Sequence, residues 1–126
     1  MKSFHFQNHH TKNHHYEKHL RTLRRALEKN KKQFFQYLRQ HLPKDCKVYN
    51  YPSGYFLWIQ LPEKVSSMNI YEQLIQQQIG IAPSHLFNVL PSHQHFIRMN
   101  CSFEWTEQIQ QAVMQFIKAI QNELST

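Results

Sequence analysis

The chain has 126 residues, enough for one domain with a single core, and 40% hydrophobic with 13% aromatic residues excludes wholesale disorder. No apolar run approaches a membrane span, the N-terminus is too polar for a signal peptide, and the two cysteines, Cys46 and Cys101, form no CxxC pair; a reduced, cytoplasmic setting is expected. The net charge of +7 is lopsided: residues 1–39 hold ten Lys/Arg against two acidic side chains, residues 40–126 five against six.

Residues 1–13, MKSFHFQNHHTKN, have no period and are expected to form an irregular or disordered tail, leaving 14–126 as the domain. From about Tyr16 a helix is predicted. Leu20, Leu23, Leu27, Phe34, Leu38 and Leu42 recur at helical steps, with Arg21, Arg25, Lys29 and Lys32 opposite, and Pro43 follows the end near His41. KVYN (47–50), the turn YPSG and YFLWIQL (55–61) predict a hairpin-like pair of strands. Ser66 or Ser67 caps a short helix burying Ile70, Leu74 and Ile75. IGIA (79–82) is expected to be a brief buried strand, followed by a loop holding Phe87 and Pro91, and HFIRMNC (95–101) is the last strand. Thr106 then caps a closing helix with Ile109, Ala112, Val113, Phe116, Ile117, Ile120 and Leu124 on its apolar face. The order α-β-β-α-β-β-α predicts a two-layer α+β domain with a small mixed or antiparallel sheet of about four strands.

Arg98 stands in the middle of an apolar strand. Alternation places Phe96, Arg98 and Asn100 on one face and Ile97, Met99 and Cys101 on the other. The pattern admits two readings: a guanidinium set to hold a planar carboxylate by paired hydrogen bonds, or an arginine on the solvated face of an edge strand.

Other chemistry is weaker. His9, His10, His14, His15 and His19 include i,i+4 pairs, but only Glu17 could help complete a site, so no metal is assigned. Helix 18–39 could meet phosphate backbones, yet its cations are also what the solvated face of an amphipathic helix carries. With two glycines there is no glycine-rich phosphate loop, and nothing assembles a catalytic nucleophile.

Taken together, YEKHLRTLRRALEKN, GYFLW (54–58), IAP-xxx-F (81–87) and RMNCSFEW (98–105) resemble the C-terminal small domain of fold-type I pyridoxal-phosphate aminotransferases. The likeness covers about residues 14–124. It is nearest in flavour to the aminotransferase-like half of MocR-type transcriptional regulators of the GntR superfamily. The resemblance implies that Arg98 binds the α-carboxylate of an amino-acid substrate or effector, with Asn100, Pro83, Phe87 and Gly54 lining the cleft.

It also implies that pyridoxal 5'-phosphate belongs to a large domain with no counterpart here, so this chain alone should be catalytically silent and bind no cofactor. DNA would be met only through an absent N-terminal domain. On this reading the chain is a segment excised from a longer protein or a shortened reading frame, and its uncovered surface is expected to make a homodimer. A fragment of a true aminotransferase for aromatic or dicarboxylic amino acids is the alternative within the family; a basic nucleic-acid module using helix 18–39 is the alternative outside it. Ser53, Gln78, Ser84 and Ser102 stand where the family has glycine, which puts loop geometry near the cleft in doubt.

Overall fold

A computed structural model describes residues 10–77 and 81–125, with side chains from residue 14 onward. The elements are α1 (His10–His41), β1 (Lys47–Tyr49), β2 (Phe56–Gln60), α2 (Ser67–Gln76), α3 (Pro83–Leu86), β3 (Phe87–Val89), β4 (Phe96–Asn100) and α4 (Glu107–Ser125). The four strands form one antiparallel sheet in the order β1-β2-β4-β3, and both edge strands are only three residues long. This is the expected α+β architecture, with the short helix α3 added.

Alternation decides what the sheet buries. Leu57, Ile59, Ile97 and Met99 are fully buried on the face that receives the helices, and Phe87 lies opposite Met99. Helix α4 supplies Ile109, Ala112, Val113, Phe116, Ile117 and Ile120, while α2 supplies Ile70 and Leu74. At about 1.5–3 kcal/mol for each large side chain, this shared layer is the main source of stability. Ser66 caps α2 by accepting from the Asn69 amide, and Thr106 Oγ1 accepts from the Ile109 amide at 3.2 Å, so both caps lie where the sequence puts them.

Several expectations need correction. Helix α1 begins at His10 rather than near Tyr16, so residues 10–13 of the expected tail are helical; residues 1–9 lie outside the described residues. A strand not expected from the sequence, Phe87–Val89, pairs with β4; of the expected strand IGIA, Ile81 and Ala82 join no ladder, and residues 79–80 lie outside the described residues. The physical reason is Pro83, which starts a helical turn and leaves Phe87 as the first residue able to join the ladder. Ile75 is 56% exposed, one position off the buried stripe of α2.

Helix α1 has two halves. From Lys31 onward it packs on the domain, burying Phe34 and Leu38, with Trp105 edge-on to Phe34 at 4.8 Å. From His14 to Asn30 it is exposed apart from half-buried Leu20, Leu27 and Asn30, with Tyr16 63% and Leu23 47% exposed. The join is held by Lys31, whose Nζ donates to the carbonyls of Tyr51 (2.7 Å) and Gly54 (3.0 Å) in the β1–β2 loop. A nearly buried ammonium is tolerable because these carbonyls replace water. Gly54 has φ +79°, and among the described residues no other residue has positive φ. Ser53, Ser84 and Ser102 thus adopt backbone conformations that need no glycine; Gln78 is outside the described residues.

Burial pushes the Cys101 thiol up to about 12, and burial with the neighbouring Asp45 charge pushes Cys46 up to about 11. Both folded thiols titrate above the ordinary value near 9, so their contribution is intact below about pH 9 and is lost as the pH rises through the folded values. The melting temperature should therefore fall on raising the pH from about 9 to about 11, and should fall less steeply in Cys101→Ala. Thermal melts across that range check it; parallel slopes for the two proteins would contradict the buried-thiol account.

Candidate functional site

The face of the sheet turned away from the helices carries the chemistry. One row across it reads Tyr49, Trp58, Arg98 and Asn88, set by the register of the four strands. The rows on either side pair Phe56 with Asn100 and Gln60 with Phe96. Arg98 is half-buried, and its guanidinium carbon lies 4.3 Å from the centroid of Phe56 and 5.9 Å from that of Trp58. Such contacts are worth about 0.5–1 kcal/mol at exposed sites and more when water is excluded. Arg98 Nε is buried without a hydrogen-bond partner, and none of its sheet neighbours on this face is acidic. An orphaned donor costs about 1–3 kcal/mol, which a planar anion bonding that edge would recover. The rings hold the cation flat and leave its charge unneutralised by the sheet.

The other expected cleft residues are placed differently. Asn100 shares the face of Arg98, but its amide is occupied: Nδ2 donates to the His85 carbonyl at 3.2 Å, and Oδ1 accepts from the amide and hydroxyl of Ser102 at 3.0 and 2.8 Å. It ties the end of β4 to α3, a bracing contact. Pro83 opens α3. Gly54 gives the β1–β2 loop its positive φ and an acceptor for Lys31. Phe87 does not face Arg98. It is 1% exposed and stacks on Phe116 at 5.0 Å within the helix-side core, because its register partner is the inward-facing Met99.

Sequence reasoning put Phe96 on this face but missed its other aromatic residues. Phe56 and Trp58 embrace Arg98, and Tyr49, Tyr51, Trp58, His93 and Phe96 line a surface cup of about 330 Å³. Within it Trp58 stands 6.1 Å from His93 and 6.3 Å from Phe96, and Tyr49 stacks with Tyr51 at 6.3 Å. The signal was the alternation of YFLWIQL, which puts Phe56 and Trp58 on the face opposite Leu57 and Ile59.

The described residues do not fit the cofactor that the resemblance implies. The buried lysine, Lys31, is spent on two carbonyls, and the other lysines with described side chains are exposed, so among the described residues no enclosed amine faces a phosphate cradle. Among the described residues no three His, Cys, Asp or Glu side chains gather to hold a metal ion, and no helix is long and apolar enough to cross a membrane.

No protein-family model matches the chain. It is 38% identical over 109 residues to the uncharacterized HTH-type transcriptional regulator YdcR of Escherichia coli (strain K12), covering 86% of this chain and 23% of that protein. An uncharacterized aminotransferase of Saccharolobus solfataricus, SSO0104, is 23% identical over 110 residues, covering 87% of this chain and 27% of its own length. Among solved structures, LysN, an α-aminoadipate aminotransferase of Thermus thermophilus complexed with N-(5'-phosphopyridoxyl)-L-leucine, superposes with a TM-score of 0.71 at 18% identity, over 87% of this chain and 28% of LysN. The chain thus spans about a quarter of the length of the relatives it matches. Its homologues are HTH-type regulators and aminotransferases, and its fold is that of the aminotransferase small domain.

An arginine kept for binding should be dispensable for folding. Arg98→Leu removes about 0.5–1 kcal/mol of ring contact but also removes the orphaned Nε, so unfolding free energy should stay within about 1 kcal/mol of wild type. Urea denaturation checks this; a loss above about 2 kcal/mol would make Arg98 a structural residue.

Proposed function

We propose that this chain is the ligand-clamping C-terminal domain of an aminotransferase-like transcriptional regulator of the MocR type in the GntR superfamily, in which Arg98 binds the α-carboxylate of an amino-acid effector or substrate. The observation that carries this reading is the state of Arg98: stacked on Phe56, orphaned at Nε and without an acidic neighbour on its sheet face. A cation so placed is prepared for a planar anion that the domain itself does not supply. The 38% identity to an HTH-type regulator supports the regulator branch over an enzyme. The likeness to SSO0104 favours the second reading, a fragment of a true aminotransferase, in which the same arginine would hold the carboxylate of a turned-over substrate.

In either parent the pyridoxal phosphate, its lysine and its phosphate contacts would come from the large domain, and in a regulator DNA would be met by an N-terminal domain. This chain contributes recognition. The partly exposed stripe of α1, where Tyr16, Leu20, Leu23 and Leu27 recur at steps of four, three and four, supports pairing of two copies along that helix. Light scattering at about 50 μM should give the mass of a homodimer, and Leu23→Glu should return it to monomer. A monomer mass for the unaltered chain would remove the second copy from this account.

Carboxylate recognition is testable in the isolated chain. In ¹⁵N spectra, the Arg98 Nε–Hε signal should move on titration with an L-amino acid at roughly millimolar to tens of millimolar concentration, and should not move with the corresponding amide. The backbone amide signals of β4 should move with it, and in Arg98→Lys those backbone shifts should be lost, because an ammonium lacks the planar fork. Equal shifts with acid and amide, or none with either, would sink the clamp.

A further inference from the structure

The aromatic cup is not explained by the carboxylate clamp. Arg98 leans along its strand over Phe56, and of the two rings it touches only Trp58 also lines the cup. Five aromatic rings around about 330 Å³, with Trp58, His93 and Phe96 mutually edge-on at 6.0–6.3 Å, form a recess shaped for a flat ring.

Charge selects among flat or soft ligands. An aromatic cage for an organic cation gains from nearby carboxylates, and none is present at the open-face positions of β1, β2 and β4. Lys47 sits one row from the cup, in register with Gln60 and through it with Phe96, and Arg98 lies along the same face. The favoured guest therefore joins an aromatic ring to negative charge.

A second feature extends that charge beyond one nucleotide. Lys31 fixes α1 to the carbonyls of Tyr51 and Gly54, so the basic helix leaves the domain beside the loop that carries Tyr51. Arg21, Arg24, Arg25 and Lys29 are exposed along that helix, Lys29 beside Glu104 and Trp105. An aromatic platform on an open antiparallel sheet, continued by a cationic arm, offers stacking for unpaired bases and neutralisation for their phosphates. A duplex presents phosphates but hides the faces of its bases.

We propose that the cup formed by Tyr49, Tyr51, Trp58, His93 and Phe96 is a stacking site for single-stranded nucleic acid, with α1 as the backbone-binding arm.

The test is fluorescence anisotropy with a labelled oligothymidylate of about 12 nucleotides and a duplex of the same length, in about 0.1 M salt. The single strand should bind roughly tenfold more tightly than the duplex. Trp58→Ala should weaken it by about tenfold and His93→Ala or Tyr51→Ala severalfold, with unchanged far-UV circular dichroism. The double substitution Arg24→Ala with Arg25→Ala should weaken single strand and duplex alike. Equal affinity for both probes, with cup variants binding as the unaltered chain does, would assign all binding to the basic helix and overturn the proposal. So would no binding of the single strand. If Trp58→Ala fails to fold, the exposed positions His93 and Tyr51 decide: unaltered single-strand affinity in both variants refutes the cup. None of these outcomes bears on Arg98 and the amino-acid titration, so the two readings fail separately.

Discussion

The pairing of Trp58 with Arg98 in the centre of the sheet is the constraint from which the rest follows. A strand alternates faces, so this register sends Leu57, Ile59, Ile97 and Met99 together into the helices and leaves Phe56, Trp58, Phe96 and Arg98 together outside. A slip by one residue would bury the guanidinium and expose the core set. The desolvation of an unpaired charge makes such a slip far more costly than any local preference could offset. The hydrophobic layer thereby fixes the position of Phe56, Trp58, Phe96 and Arg98 from the opposite face of the sheet.

The remaining polar anchors keep that sheet face intact at its margins. Lys31 replaces water with two loop carbonyls and so locks the β1–β2 connection against α1, allowing a loop with one glycine to keep a defined shape. Asn100 performs the corresponding task at the end of β4, engaging His85 and Ser102. Both are polar groups whose hydrogen-bonding capacity is used within the fold. Arg98 differs from them because its Nε has no such partner. Lys31 and Asn100 are braces, whereas Arg98 keeps a donor that the fold does not use.

The domain divides its chemistry by face. The two thiols are inert near neutral pH, since burial raises both. The open face concentrates aromatic rings and cations. The excess of cations is confined to residues 1–39, and Lys31 of that stretch ties α1 to the β1–β2 loop. The chain spans about a quarter of the length of its relatives.

Much of this was legible in the sequence because it depends on local rules. Period-two and period-3.6 patterns identified the β1–β2 pair, β4 and α4, and Ser66 and Thr106 marked the starts of α2 and α4. Alternation alone put Arg98 and Phe96 on the face opposite Ile97 and Met99. What tertiary structure decided were facts that require two distant segments at once. The third strand is Phe87–Val89 because that segment meets β4 in register, which also turns Phe87 into the core. Phe56 lies over Arg98, and His93 beside Trp58, through pairing of segments far apart in the chain, to which no local periodicity is sensitive. Sequence settles which face a side chain takes, since that follows from backbone geometry; only packing settles its neighbours, since that follows from which strands share hydrogen bonds.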